Sequence, residues 1–170
     1  MEALRLSLSS VVPCAAPTAC VGRALAHLYV DARDAHLANA GCNALAADVC
    51  QSPSLRCWTL IHVRHPAGAR DDPIAPNNGI GGDGVRALRD ALVVRMETLR
   101  EVVFDLRYND ADPDAALELL STAPPTLRLH VDFTGNLLLT APSDPQCAVF
   151  RDFVKRCHAQ FTNIHVRGVL

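Results

Sequence analysis

Apolar and polar residues alternate along several short stretches of this chain. They are Met1–Leu8, Leu25–Val30, Leu55–Leu60, Leu99–Leu106, Leu127–Phe133 and Phe161–Val166. Period-two alternation puts one set of side chains on each face of a strand, so each stretch predicts a half-buried β-strand. Four other segments, Ala40–Cys50, Asp83–Met96, Pro113–Leu120 and Pro145–Ala159, carry apolar residues at i, i+3, i+4 and i+7. That spacing lines one side of a helix. Two helix starts are marked by the same pair, Asp112-Pro113 and Asp144-Pro145. Asp accepts a hydrogen bond from an orphan N–H, and Pro costs nothing at the first helical position.

The strand and helix signals recur in a register. Asn78-Gly-Ile-Gly-Gly-Asp-Gly-Val-Arg-Ala-Leu-Arg lies on Asn109-Asp-Ala-Asp-Pro-Asp-Ala-Ala-Leu-Glu-Leu-Leu without a gap, at an offset of 31 residues. Ile80 meets Ala111, Asp83 meets Asp114, Gly84 meets Ala115, Val85 meets Ala116 and Leu88 meets Leu119. An earlier copy, His36–Leu45, lies on Gly79–Leu88 and matches Leu37 to Ile80, Gly41 to Gly84 and Leu45 to Leu88. Its larger offset of 43 is explained by an insertion, His65–Pro76, whose three prolines and mixed charge predict a surface loop.

The unit formed by these residues, with its strand leucines, turn asparagine, small helix residue and helix leucines, resembles the leucine-rich repeat. The resemblance is to the ribonuclease-inhibitor-like class, with a strand and a helix in roughly 28 residues per repeat. Asn78–Leu92 is the sharpest copy, while His65 stands where the second unit would carry its asparagine. The resemblance implies one α/β solenoid domain of about five repeats over residues 1–170, strands on the concave side and helices on the convex side. It further implies that Asn109 and Asn136 satisfy backbone groups where the strand turns. Gly84 and Ala115 would stay small where the helix approaches the sheet. Such arrays present extended binding surfaces and carry out no chemistry of their own.

Composition narrows the alternatives. At 49% hydrophobic and 20% charged, the 170-residue chain can bury a core. A net charge of −2 without a basic run excludes the electrostatic footprint of a nucleic-acid binder. No apolar run approaches the roughly 18 residues that span a bilayer. Seven cysteines, an odd number with no Cys-x-x-Cys pair, point to reduced thiols rather than a disulfide framework or zinc site. The compartment expected is intracellular and reducing, the cytoplasm first and an organelle second. The Ser- and Ala-rich residues up to Cys20 weakly resemble a transit peptide, but the alternation from Met1 to Leu8 reads as a first strand.

The glycine-rich stretch Gly79–Gly84 carries the competing enzymatic reading. Its glycines have G-x-G-x-x-G spacing, yet it follows the Pro-rich insertion instead of a strand, and no Lys-Ser/Thr follows as in a P-loop. Together with Phe104–Asp112 it also looks like a motif pair of diaminopimelate epimerases. Those enzymes use two cysteines, and the next cysteine after Asn109 is Cys147. A small-molecule or nucleotide-binding enzyme built on this loop is therefore the alternative to a non-catalytic module. His62, His130 and His165 fall at matched strand positions, where shared exposure is the commoner outcome than a metal site. Trp58 reads as core first and binding anchor second.

The sequence thus predicts a protein–protein interaction module without cofactor or metal. A scaffold or accessory subunit fits best, since neither terminal unit shows an obvious polar cap. The candidate partner-binding residues on the concave strands are His62, Arg64, Asp105, Arg107, His130 and Asp132.

Overall fold

A computed structural model describes residues 2–7, 25–33, 37–61, 79–136, 139 and 144–169. The strands are β1 (Glu2–Ser7), β2 (Leu25–Asp31), β3 (Cys57–Ile61), β4 (Glu101–Asp105), β5 (Arg128–Asp132) and β6 (Ile164–Arg167). The helices are α1 (Ala38–Cys50), α2 (Gly82–Arg95), α3 (Pro113–Ser121) and α4 (Pro145–Gln160). Every predicted strand and helix is present, with ends moved by a few residues. Leu55, Leu99, Leu127 and Phe133 lie just outside the strands but are still fully buried. The proposed insertion and the copy start His36 lie outside the described residues, as does Asn78.

All strand pairs are parallel, and the sheet order follows the chain from β1 to β6. The fold is therefore α/β with a fully parallel sheet. Doubly wound sheets reverse their strand order, and the reversal opens the crevice that receives a nucleotide. The order of these described strands never reverses.

Register explains the core. Leu4, Leu28, Trp58, Val102, Leu129 and Ile164 form one continuous row across the sheet. Val30, Leu60, Phe104, Val131 and Val166 form the next. Both rows join the helix residues in a single apolar cluster, to which Leu45, Leu88, Leu119 and Phe150 contribute from successive helices. Each fully buried Leu or Phe is worth about 1.5–3 kcal/mol. Helices pack in sequence, α1 on α2, α2 on α3 and α3 on α4, so each unit's apolar surface is closed by the next. Trp58 belongs to this core, fully buried and edge-on to Phe104 at 4.9 Å.

Two buried asparagines stitch adjacent units together. Asn109 Oδ1 accepts from the Ile80 N–H at 2.9 Å, and its Nδ2 donates to the Arg107 carbonyl. Asn136 Oδ1 accepts from the Ala111 N–H at 3.0 Å, and its Nδ2 donates to the Leu106 and Phe133 carbonyls. In both cases the accepted N–H belongs to the preceding unit. The two marked helix starts hold as well: Asp112 accepts from Ala115 N and Asp144 from Gln146 N, each at 2.8 Å.

These two kinds of polar contact differ in burial, and this sets their expected costs. Asn136→Ala removes the side-chain partners of the Ala111 N–H and the Leu106 carbonyl, while the Phe133 carbonyl keeps the Asn136 backbone N–H, and it lowers stability by about 3 kcal/mol. Asp144→Ala removes an exposed cap and costs about 1 kcal/mol. Urea unfolding followed by circular dichroism checks the ranking, and equal costs would contradict the stitching role.

Candidate interaction surface on the open sheet face

The residues between the inward positions form a second set of rows, and these stay partly or fully exposed except for Asp31, which is buried. One row runs Ala3, His27, Cys57, Glu101, Arg128; a central row runs Arg5, Tyr29, Thr59, Val103, His130, His165. The next row runs Asp31, Ile61, Asp105, Asp132, Arg167. Asp105, His130 and Asp132, picked out from sequence, thus lie on one face, and Arg107 adjoins Asp105 just past the end of β4. His62 and Arg64 lie outside the described residues.

The ends of β2, β4 and β5 share a local device that the sequence contains but that single-residue reading overlooks, Asp-x-Arg or Asp-x-Thr. The Arg107 guanidinium grips the Asp105 carboxylate through Nε and Nη2, both at 2.8 Å. Arg33 holds Asp31 in the same way, through Nε at 2.9 Å and Nη2 at 2.6 Å. At β5 the partner is Thr134, whose N–H and hydroxyl donate to Asp132 Oδ1 at 2.9 and 2.6 Å. The Arg33 hydrogen bonds hold the Asp31 carboxyl below the usual carboxylate range, although burial opposes them. The Asp105 hydrogen bond likewise makes Arg107 still harder to deprotonate. All three pairs orient a carboxylate, and the two arginine pairs also neutralise it locally.

His130 and His165 occupy adjacent places in the central row, and their rings stack at 4.6 Å with 14° between planes. Partial burial lowers the His130 pKa, and the neighbouring His165 charge lowers it further. Both rings line an open groove of about 1060 Å³, together with Glu101, Asp105, Arg107 and Arg167. Its size and open floor suit a macromolecular segment better than the enclosed pocket of a small ligand. Among the described residues no three His, Cys, Asp or Glu side chains converge to hold a metal.

The glycine loop has different work. Asn39, near the start of α1, accepts from both Gly81 N and Gly84 N, at 2.8 and 3.1 Å. The Ile80 N–H is taken by Asn109, and Val85 N–H by the Gly81 carbonyl. Phosphate loops work by turning such amides toward the ligand, and here four of them face protein oxygens. Smallness at Gly84 has a physical reason that corrects the expectation of close approach to the sheet. A Cβ there would sit 2.7 Å from Asn39 Oδ1 and 2.8 Å from Ile80 Cγ2, so the crowding comes from the preceding unit and from the turn of its own unit. A Cβ at Gly82 would overlap the Asp112 carboxylate of the following unit. Sequence register accounted for Gly84 but not Gly82, because the clash comes from a side chain in the next unit.

None of the four described thiols with a shifted pKa is activated. Cys42, Cys50, Cys57, Cys147 and Cys157 are unbridged. Burial pushes the Cys42 thiol up to about 12 and raises Cys50, Cys57 and Cys157. No described helix is long and apolar enough to cross a membrane.

Two measurements test these assignments. Gly→Ala inside a helix ordinarily adds about 0.5–1 kcal/mol of stability, but Gly84→Ala is expected to lose about 1–3 kcal/mol through overpacking against Asn39. A rise in unfolding midpoint would refute the packing role. For His130, NMR titration is expected to give a pKa below the ordinary value near 6.5, moving upward in His165→Ala. Because the folded state binds this proton less readily than the unfolded chain, stability from this group is complete above about pH 6.5 and falls as pH drops.

No family model matches the chain, and neither the curated proteins nor the solved structures contain a match to it.

Proposed function

We propose that the chain is a leucine-rich-repeat solenoid of the ribonuclease-inhibitor-like class, acting as a non-catalytic protein-recognition module. The observation that carries this reading is the division of the sheet. One face is sealed by helices into the core, and the other presents Asp105, Arg107, His130 and Asp132 in register. Strand order that follows the chain and asparagines that reach back one unit both support the repeat assignment. The occupied amides of the glycine loop weigh against a phosphate-binding enzyme. A protein partner within a larger assembly fits a surface built of separate polar side chains without an enclosed pocket. The five cysteines among the described residues are unbridged, which fits a reducing compartment.

Affinity capture from native extract, followed by binding measurements with the recovered partner, tests the proposal. Asp105→Ala/Arg107→Ala is expected to weaken binding about tenfold or more, in the range of interface hot spots. Val94→Ser, on the exposed side of α2, is expected to leave it unchanged. The reverse pattern would place recognition on the helices and overturn the proposal.

A further inference from the structure

The β5–β6 end of the open face differs from the rest of the sheet. Elsewhere an arginine two residues past the strand aspartate neutralises it, as in Asp31–Arg33 and Asp105–Arg107. At β5 that place is taken by Thr134. Arg128 and Arg167 are exposed and form no ion pair among the described residues. Arg128 is the register partner of Glu101, and Arg167 of Asp132. Between the two arginines along the strands lie the stacked His130 and His165.

The order is therefore arginine, histidine pair, arginine, each two residues from the next along the strands. Two residues of strand advance about 6.6 Å, so the array spans about 13 Å. A single small anion cannot bridge that length. An extended peptide places its alternate side chains at the same interval. The central position is the discriminating one. Across β4 and β3 its row neighbours are Val103 and Thr59, so no fixed carboxylate meets the imidazoles there. The nearest acids are Glu101 and Asp105 on β4 and Asp132 on β5. The nearest cations are Arg128, Arg107 and Arg167. On the α4 side, His158 is engaged with the Val166 carbonyl at 3.0 Å. With both imidazoles neutral, Arg128 and Arg167 are balanced by Glu101 and Asp132. Protonation of the pair turns this end of the face positive.

We infer that the β5–β6 end of the open face binds an extended acidic segment of a protein partner, with carboxylates at alternate positions, and does so more tightly when the histidine pair is protonated. This rests on the recognition reading above and specifies the partner's chemistry. The carboxylate nearest the imidazoles supplies the charge that the stacked pair lacks. Its presence draws a proton onto His130, which partial burial and the neighbouring His165 otherwise disfavour.

The test uses the whole chain and a fluorescent, end-capped peptide alternating Glu and Thr, with a Gln–Thr peptide as control. Glu stays largely ionised above pH 5.5, so pH dependence reports on the protein. Polarisation at low salt is expected to show binding of the Glu peptide about tenfold tighter at pH 5.5 than at pH 7.5. In His130→Gln/His165→Gln the pH dependence is expected to vanish. In Arg128→Gln/Arg167→Gln binding is expected to weaken at both pH values. Circular dichroism confirms that each variant is folded. Equal binding of the Gln peptide, no binding at either pH, or unchanged pH dependence in the histidine variant would overturn the inference. If the peptide fails while the Asp105→Ala/Arg107→Ala variant still loses the captured partner, the recognition reading stands and only the acidic chemistry falls.

Discussion

Each turn after a strand leaves backbone N–H and C=O groups inside the protein, and the unit that makes the turn cannot satisfy them alone. The structure meets this constraint across unit boundaries. Asn109 reaches back to Ile80, and Asn136 reaches back to Ala111. Asn39 reaches forward to Gly81 and Gly84. A buried unpaired polar group costs about 1–3 kcal/mol, so these contacts fix how far apart consecutive units can sit. The apolar rows then follow, because strands held in this spacing bring Trp58 beside Val102 and Leu60 beside Phe104.

Once one sheet face is committed to the helices, the other is released from packing. Its residues are set by solubility and by whatever the face contacts. The Asp-x-Arg pairs show how charge is kept without leaving it loose, since each carboxylate is gripped by a side chain from its own strand end. At β5 the grip passes to Thr134, and two arginines and two histidines become the dominant features. The same sheet thus carries a stretch of closed Asp–Arg pairs and a stretch where two arginines flank a stacked histidine pair.

The glycine-rich stretch shows how similar residues can serve unlike ends. A phosphate loop and this turn both need close backbone approach. In this chain the approaching groups are the Asn39 amide oxygen, the Ile80 side chain and the Asp112 carboxylate. Glycine is required by neighbours in the protein, and the amides of Ile80, Gly81, Gly84 and Val85 are already bonded.

Much of the architecture was legible in the sequence because its signals are local. Alternation located six strands, 3.6-residue periodicity located four helices, and Asp-Pro pairs fixed the starts of α3 and α4. The 31-residue register paired Leu88 with Leu119, and both are core; strand alternation set Asp105, His130 and Asp132 beside one another, and they share one face because parallel strands keep side-chain parity. What tertiary structure decided were relations between units. The stacking of His130 on His165, the crowding at Gly82 by Asp112 and the reach of Asn39 depend on distances that no single strand–helix segment encodes. Strand order was decided there too, since period and spacing are the same whether a sheet advances in one direction or doubles back.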